Sequence, residues 1–512
     1  MTKIPVGTGP LAFGDVVAVA RHGAEVALTD EALKAIAEAR AHVDDLASRP
    51  TPAYGISTGF GALATRHIHE ELRARLQENI VRSHAAGSGP EVEREVVRAM
   101  MLLRLSTLAT GRTGVRPVTA ETLAAVLNAG ITPIVHEYGS LGCSGDLAPL
   151  SHVALALIGE GDVRDADGNK TSAKQALAEA GIQPLTLVAK EGLALLNGTD
   201  GMLGMLVLAI EDLRALLRAA DIGAAMSVEA QLGTDRVFAQ DLQELRPHPG
   251  QADSAANLRR LLKDSAIMES HRGPHCNRVQ DAYSLRCSPQ VHGAARDTLA
   301  HAALVAGREL ASAVDNPVVL PDGRVESNGN FHGAPIAYVL DFLAIPVADV
   351  ASMAERRTDR MLDVSRSHGL PAFLADDPGV DSGYMIAQYT QAAVVNELKR
   401  LAVPASVDSI PSSAMQEDHV SMGWGGARKL RRAVDGLTRV VAIEIMTAAR
   451  ALDLRAPLRP GPATAAVVAA LRTGVPGPGP DRHVAPEIAA AVDLVRDGSL
   501  VTAAESVVGP LA

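Results

Sequence analysis

Residues 201–220 read GMLGMLVLAIEDLRALLRAA, a run in which two acidic and two basic side chains interrupt an otherwise apolar composition. Runs of similar length and composition follow at 291–313, 334–363, 385–402 and 424–452. Strand-like alternation is scarce, with short candidates at 131–135 and 163–170, where Asp167-Gly168 is typical of a hairpin turn. Long helices with few strands predict a mainly α protein built around a long-helix bundle.

The N-terminal part of the chain has a different pattern from these long runs. Its amphipathic segments are shorter, and the strand candidates fall within it. We therefore predict a smaller, mixed region at 1–200 and a long α-helical bundle domain at 201–512. Four Gly-rich segments lie between helices, at 54–61, 139–145, 197–201 and 328–333. Such loops are either turns or places where the backbone approaches a ligand.

Charge and cysteine content exclude several classes of protein. The 512 residues carry 48 Lys and Arg against 59 Asp and Glu, a net charge of −11 without a basic stripe, which disfavours nucleic-acid binding. No stretch reaches ~18 uninterrupted apolar residues, so we expect no membrane-spanning segment. The N-terminus lacks the apolar core of a signal peptide, and the three cysteines are an odd, sparse set. These features predict a cytoplasmic protein.

The segment 139–152, GSLGCSGDLAPLSH, carries the most information about chemistry. Asp146 is a good N-cap, and Pro149 fits a first helical turn. Ser144 and Gly145 would then lie directly before a helix N-terminus, where developing negative charge is favoured. Because Gly145 has no side chain, its nitrogen can fold back toward the carbonyl carbon of Cys143.

Three simpler interpretations of this segment compete with a cyclised loop. The first is a capped helix after a Gly turn, which is common. The second makes Ser144 a hydrolase nucleophile, but the surrounding sequence is not the G-x-S-x-G elbow. The third makes Cys143 a nucleophile with His152, and the spacing gives it no support. On local sequence alone, the capped helix would be favoured.

The segment resembles the signature of the aromatic amino acid ammonia-lyase family, and the similarity covers roughly residues 50–430. In that family an Ala-Ser-Gly triplet cyclises and loses two waters to form 4-methylidene-imidazole-5-one (MIO), an electrophile. Here Cys143 replaces the Ala, and because that residue supplies only backbone atoms, Cys143-Ser144-Gly145 should still cyclise. The resemblance implies a fumarase/aspartase-like helical lyase architecture and no external cofactor. It also implies a homotetramer whose active sites draw on three chains.

The resemblance assigns roles to three more residues in Gly-rich segments. Tyr54, in YGISTGFG, would be the base that removes the β-proton, although a buried tyrosine is more often a packing residue. Asn197 would hydrogen-bond the substrate and position the electrophile, and it would also suit the cap of the helix that follows. Phe331, in the segment NFHG, would lie next to the electrophile.

Residues 280–290, QDAYSLRCSPQ, contain a further candidate cluster. Gln280, Tyr283 and Arg286 recur at steps of three, which would place them on one face of a helical turn. A lone arginine is usually a solvated surface residue, but its planar fork also suits bidentate binding of a carboxylate. Within this motif the resemblance implies that all three bind substrate and that Arg286 holds the substrate carboxylate.

Two positions predict which amino acid is the substrate. His84 lies in RSHAAG and Glu417 in SSAMQEDHV, and the phenylalanine and tyrosine enzymes of the family differ at both. A carboxylate can accept a hydrogen bond from an imidazole, whereas an apolar ring would leave buried Glu417 unpaired. We therefore expect conversion of L-histidine to trans-urocanate and ammonia, by attack of either the amine or the ring. A phenylalanine or tyrosine ammonia-lyase, or an aminomutase on the same scaffold, is the alternative.

Other functions have weaker support in the sequence. His271, His275 and Cys276 have a faintly metal-like spacing, but no fourth ligand is evident, and we expect no metal site. The fumarase-like lyases use a different loop signature. A non-enzymatic helical scaffold would not need aromatic, Asn and Arg residues in Gly-rich loops.

Overall fold

The computed structural model describes residues 3–49, 54–59, 61–63, 65–273, 276 and 279–512. Most of these residues lie in helices, and the longest helices have 31 residues each. The predicted mainly α class is therefore confirmed. The α-helices are α1 Phe13–His22, α2 Asp30–Ser48, α3 Glu70–His84, α4 Arg94–Ala109, α5 Pro117–Asn128, α6 Leu147–Leu157, α7 Ala173–Glu179, α8 Glu191–Leu196, α9 Asp200–Ala230, α10 Gln240–Glu244, α11 Pro249–Leu261, α12 Ala266–Glu269, α13 Tyr283–Arg286, α14 Ser288–Leu310, α15 Ala334–Leu362, α16 Met385–Leu401, α17 Gly423–Asp453, α18 Pro462–Leu471, α19 Ala485–Arg496 and α20 Ser499–Val508.

The strands are short and form four small sheets within the described residues. They are β1 Ile4–Val6, β2 Val26–Leu28, β3 Ser88–Glu91, β4 Thr132–Pro133, β5 His136–Tyr138, β6 Asp162–Arg164, β7 Lys170–Ser172, β8 Val318–Val319 and β9 Val325–Glu326. β1 pairs with β2 in parallel, β3 with β5 and β8 with β9 are antiparallel, and β4, β6 and β7 form one three-stranded antiparallel sheet. The predicted hairpin is present as β6 and β7, with Gly168 in the left-handed region at φ 84°.

The chain divides into two compact units, neither of which is continuous in sequence. The first unit comprises Met1–Ala209, Ala303–Asp341 and Pro404–Arg428. The second unit comprises Ile210–Ala302, Phe342–Val403 and Lys429–Ala512. The division into domains at residue 200 stays a prediction. The sequence patterns gave no indication that the first unit would include two segments from the second half of the chain.

The core of the first unit is centred on α4, in which every residue from Val96 to Ala109 is buried. A helix buried on all sides must satisfy its charged groups internally. Arg98 donates to backbone carbonyls of α1 and α5 at 3.1 and 3.0 Å. Arg104 donates through Nε to the Asp200 carboxylate at 3.0 Å, at the start of α9. The buried charges on α4 therefore tie the helices of the first unit together.

The second unit has a polar core of its own. The Arg357 and Glu444 side chains are fully buried and paired at 2.9 Å, and Ser227 donates to Glu444 at 2.7 Å. Asp221 is also buried, beside His292 at 2.8 Å. Removal of one partner from such a buried pair would leave an uncompensated charge inside the protein, which is strongly destabilising. These contacts therefore fix the helices that carry them to one another.

Two described stretches are long and apolar enough to cross a membrane, judged by length and composition alone: Glu191–Ala230 and Ala334–Leu362. Their most apolar windows are 100% and 61% buried inside the protein. Core helices of a large protein pass the same test, so these stretches are weak support for a membrane span. The expectation of no membrane-spanning segment stays a prediction.

Candidate active site

A cavity of about 840 Å³ lies within the first unit. This volume is in the range of small-molecule sites. Five residues singled out from the sequence line it together, although they are up to 363 positions apart (417 − 54 = 363). They are Tyr54, His84, Ser144, Asn197 and Glu417.

The position that follows Ser144 in its loop can be occupied only by a glycine, Gly145. Ser144 and Gly145 are both left-handed, at φ 49° and 77°. A Cβ atom on Gly145 would lie 2.1 Å from the carbonyl oxygen of Gly198, far inside van der Waals contact. That same oxygen accepts a 2.7 Å hydrogen bond from the Asp146 amide. Gly145 is therefore required by packing as well as by any chemistry at its nitrogen.

Asp146 occupies the N-cap position of α6, as the sequence predicts, but its side chain does not cap that helix. Instead it accepts hydrogen bonds at 2.9 Å from the amides of Gly201 and Met202, in the first turn of α9, and from Ser140 at 2.9 Å. Burial raises the pKa of Asp146 to about 7. Asp146 thus fastens the Ser144 loop to the N-terminus of a second helix.

The Glu417 carboxylate lies beside the triplet. The Ser144 hydroxyl donates to its Oε1 at 3.4 Å, and the Cys143 thiol donates to its Oε2 at 3.5 Å. Ser412 also donates to Oε2, at 3.1 Å. Glu417 and Ser412 form an isolated antiparallel bridge, with backbone bonds of 2.9 and 3.3 Å. A residue 273 positions away in sequence is therefore in direct contact with Ser144.

His84 is the last residue of α3, and its ring faces the cavity. Desolvation by burial lowers the pKa of His84 below its usual 6.5, although the Ile80 carbonyl and the Glu417 charge act in the opposite direction. Its Nδ1 lies 3.1 Å from the Ser83 hydroxyl. The imidazole is therefore neutral at neutral pH and presents one donor and one acceptor.

Tyr54 and Asn197 also line the cavity. The Tyr54 hydroxyl accepts a hydrogen bond from the Gly61 amide at 3.3 Å. Asn197 follows α8 as its C-cap and does not cap α9; its side-chain amide donates to the Asn316 carbonyl at 2.9 Å. Its Oδ1 is buried and has no hydrogen-bond partner among the described residues. An unpaired buried acceptor that lines a cavity is suited to receive a donor from a ligand.

The cluster from residues 280–290 belongs to the second unit. Tyr283 and Arg286 lie in α13, and the guanidinium of Arg286 is 4.7 Å from the centre of the Tyr283 ring. Gln280 lies before α13. The prediction that the three residues share one face of a helical turn therefore holds for Tyr283 and Arg286 only. Tyr283 is 70% exposed. Phe331 lies in the first unit, half-buried, and is not among the described residues that line the cavity.

Sequence reasoning missed several polar residues at or beside the cavity, among them Asn316, Ser412 and Ser413. Asn316 holds the Asn197 amide, and Ser412 holds Glu417. Ser413 lines the cavity and, with the two residues after it, has φ between 53° and 68°. Three successive left-handed residues other than glycine have no simple sequence signal. Such backbone strain is frequent at functional sites.

The described residues contain no group of three or more His, Cys, Asp and Glu side chains that could hold a metal ion. Both ring nitrogens of His271 contact backbone carbonyls, at 3.0 and 2.7 Å. His275 lies outside the described residues. The described side chains therefore offer no metal centre near this cluster.

Cys143 is expected to resist alkylation. Burial, reinforced by the charge of Glu417, raises the pKa of the Cys143 thiol to about 12, so the reactive thiolate is scarce at mildly alkaline pH. Cys276 is exposed and provides an internal control. After treatment with iodoacetamide, peptide mass mapping should find Cys276 modified and Cys143 free. Equal labelling of the two thiols would contradict the burial of Cys143.

Comparison with known proteins identifies the family of this chain. The profile of the aromatic amino acid lyase family matches residues 11–473. The chain belongs to the aromatic amino acid lyase family, and its curated relatives indicate a carbon–nitrogen lyase. This confirms the family and the enzyme class predicted from the sequence.

The individual relatives are similar over their whole length. A histidine ammonia-lyase from Streptomyces avermitilis is 69% identical, with 100% of both chains covered, and one from Gloeobacter violaceus is 49% identical, with 98% and 97% covered. Among solved structures, a tyrosine aminomutase from Streptomyces globisporus has a TM-score of 0.94 at 39% identity, with 100% of both chains covered. A histidine ammonia-lyase from Trypanosoma cruzi has a TM-score of 0.91 at 38% identity, with 99% and 96% covered. The helical lyase architecture is thereby confirmed.

Proposed function

We propose that this protein converts L-histidine to trans-urocanate and ammonia. The observation that carries the proposal is that His84 and Glu417 face the same cavity as Ser144. Both can hydrogen-bond an imidazole ring, and neither is satisfied by an apolar one. The 69% identity to a histidine ammonia-lyase supports the same substrate. We further propose that the reaction takes place in the cytoplasm, since the three cysteines are an odd, sparse set that argues against a disulfide framework.

We infer that Cys143-Ser144-Gly145 forms the MIO group of the family. The residues present fit this group, because the Gly145 site excludes any Cβ and both residues of the turn are already left-handed. Asn197 lies in the same cavity, and its side-chain NH2, which has a second N–H besides the one donated to Asn316, would help to hold the carbonyl oxygen of the group. When formed, MIO supplies an electrophilic carbon that makes the substrate amine a better leaving group.

The protein side chains have separable tasks in this proposal. Glu417 accepts a hydrogen bond from the imidazole of the substrate, and neutral His84 offers a donor and an acceptor to the same ring. Tyr54 removes the β-proton. Asn197, whose Oδ1 has no partner among the described residues, accepts a hydrogen bond from the substrate and orients it. These side chains select the ring, position the β-carbon and take up its proton.

Binding of the substrate carboxylate is assigned to the second unit. Arg286 has the geometry for bidentate carboxylate binding, and its Nε is buried without a hydrogen-bond partner among the described residues. We propose that Arg286, with Gln280 and Tyr283, completes the site through self-association into a homotetramer, as the family resemblance implies. Phe331 is proposed to flank the electrophile on the same grounds.

A substrate screen tests the function. L-Histidine, L-phenylalanine and L-tyrosine are supplied separately, and ammonia release is measured. We expect release from L-histidine with formation of urocanate, and little from the other two. Faster release from phenylalanine or tyrosine would indicate an ammonia-lyase for those substrates, and a β-amino acid product would indicate an aminomutase. Either result would contradict the histidine assignment.

Tyr54→Phe keeps the ring and deletes the hydroxyl. Because proton removal belongs to the transition state, kcat should fall by roughly 10²–10⁴ while KM changes little. Tyr138→Phe is a matched control, since Tyr138 is 63% exposed and does not line the cavity. Steady-state kinetics on both variants would decide the point. A Tyr54→Phe enzyme with wild-type kcat would mean that another residue is the base.

A further inference from the structure

The two oxygens of the Glu417 carboxylate have different surroundings. Oε2 accepts hydrogen bonds from two side chains, Ser412 at 3.1 Å and Cys143 at 3.5 Å. Oε1 has one partner among the described residues, the Ser144 hydroxyl at 3.4 Å. A carboxylate oxygen has two lone pairs, so Oε2 is fully used by protein donors and Oε1 is not.

Both donors to Oε2 are held in place. Ser412 is fixed to Glu417 through the backbone bridge, with bonds of 2.9 and 3.3 Å, and the turn between them is closed by three left-handed residues. Cys143 is 5% exposed and precedes the strained Ser144-Gly145 turn. A thiol next to a carboxylate remains protonated and acts as a weak donor. The orientation of Glu417 is therefore set from two sides by groups that do not line the cavity.

Oε1 faces Ser144, and this contact depends on the state of the triplet. Under the proposed function, the Ser144 Cβ–Oγ and Cα–H bonds break, a Cα=Cβ double bond forms, and Oγ leaves as water. The partner of Oε1 is then lost, whereas both donors to Oε2 remain. An acceptor oxygen is thereby left without a partner at the wall of the cavity, at a cost that a bound donor would offset.

We propose that Cys143 and Ser412 are positioning residues for substrate specificity. They hold Oε2 so that Oε1, which faces the Ser144 hydroxyl before cyclisation, accepts the imidazole N–H of the substrate afterwards. The loss of the hydroxyl that creates the electrophile also exposes the acceptor for the ring. This inference rests on the proposed function and adds two residues to it that do not touch substrate.

Product inhibition provides a test that distinguishes loss of imidazole recognition from a general structural defect of the site. We compare the inhibition constants of trans-urocanate, which carries an imidazole ring, and trans-cinnamate, which carries an apolar ring. In Cys143→Ala and in Ser412→Ala the constant for urocanate should rise roughly three- to tenfold, and in the double variant it should rise further. The constant for cinnamate should stay within about twofold of wild type. A merely structural defect would move both.

Conservative variants and a control accompany these measurements. Cys143→Ser and Ser412→Thr keep a donor and should restore urocanate binding. Ser151→Ala and Cys276→Ala make the same two changes at residues that neither bond to Glu417 nor line the cavity, and should have no effect. The mass of the Ser144 peptide is measured in every variant and should be lighter by two waters, because residue 143 supplies only backbone atoms to the cyclised triplet.

The outcomes distinguish this inference from the function on which it rests. An unmodified Ser144 peptide in wild type, without turnover of L-histidine, would overturn the proposed function and this inference together. Normal cyclisation and turnover, with unchanged urocanate binding in both alanine variants, would overturn this inference alone. Equal weakening of urocanate and cinnamate would also overturn it.

Discussion

Ser144→Ala should fold as the wild type does and lose ammonia release by on the order of 10³-fold or more. Without Oγ there is no hydroxyl to leave, so the double bond at residue 144 cannot form. The fold should be unaffected, because the one hydrogen bond of the Ser144 side chain to a described residue is long, 3.4 Å to Glu417. The assay is ammonia release from L-histidine, with circular dichroism and thermal unfolding on the same preparation.

The control for this variant lies in the same segment. Ser151→Ala removes a hydroxyl that, among the described residues, donates to the Leu147 carbonyl one turn earlier in α6, and Ser151 itself does not line the cavity. It should keep wild-type activity. If Ser144→Ala retained more than a few per cent of activity with L-histidine, the electrophile would have to come from somewhere other than the triplet.

Glu417→Ala should have the second largest effect, on the choice of substrate. A site built to hydrogen-bond a polar ring rejects an analogue without those groups by roughly 10⁴ or more. We therefore expect wild type to prefer L-histidine over L-phenylalanine by about that factor, and we expect Glu417→Ala to remove most of the activity with L-histidine. Asp418→Ala is the control, since Asp418 is exposed and does not line the cavity.

A double variant tests the same point from the opposite direction. His84→Leu with Glu417→Gln replaces one polar group by an apolar one and neutralises the other. The ratio of kcat/KM between L-histidine and L-phenylalanine should fall toward unity. A ratio unchanged from wild type in this double variant would show that selectivity for the ring arises elsewhere.

The helical class could be predicted from the sequence. The run at 201–220 lies within α9, because helical periodicity is a local signal. The Gly-rich segments containing Tyr54, Ser144 and Asn197 also meet at one cavity. Glycine marks such segments locally, but the family resemblance supplied the roles of their residues and of Glu417, and those roles stay predictions.

Long-range contacts could not be predicted from patterns of this kind. Asp146 was expected to cap its own helix, and its carboxylate instead binds the first turn of α9. Asn197 has its hydrogen bond to a carbonyl 119 positions away. Ser412 and Cys143 meet on one oxygen of Glu417 although 269 positions separate them (412 − 143 = 269). In each case the side chain could form hydrogen bonds with several partners, and the tertiary packing determines which of them lies within reach.

The most direct test of the account is the mass of the peptide that contains Ser144, released by proteolysis from a fully active preparation. If Cys143-Ser144-Gly145 cyclises, this peptide is lighter than its sequence by two waters, and the Ser144→Ala peptide is not lighter by both. A wild-type peptide of unmodified mass, from enzyme that releases ammonia from L-histidine at full rate, would contradict the central claim.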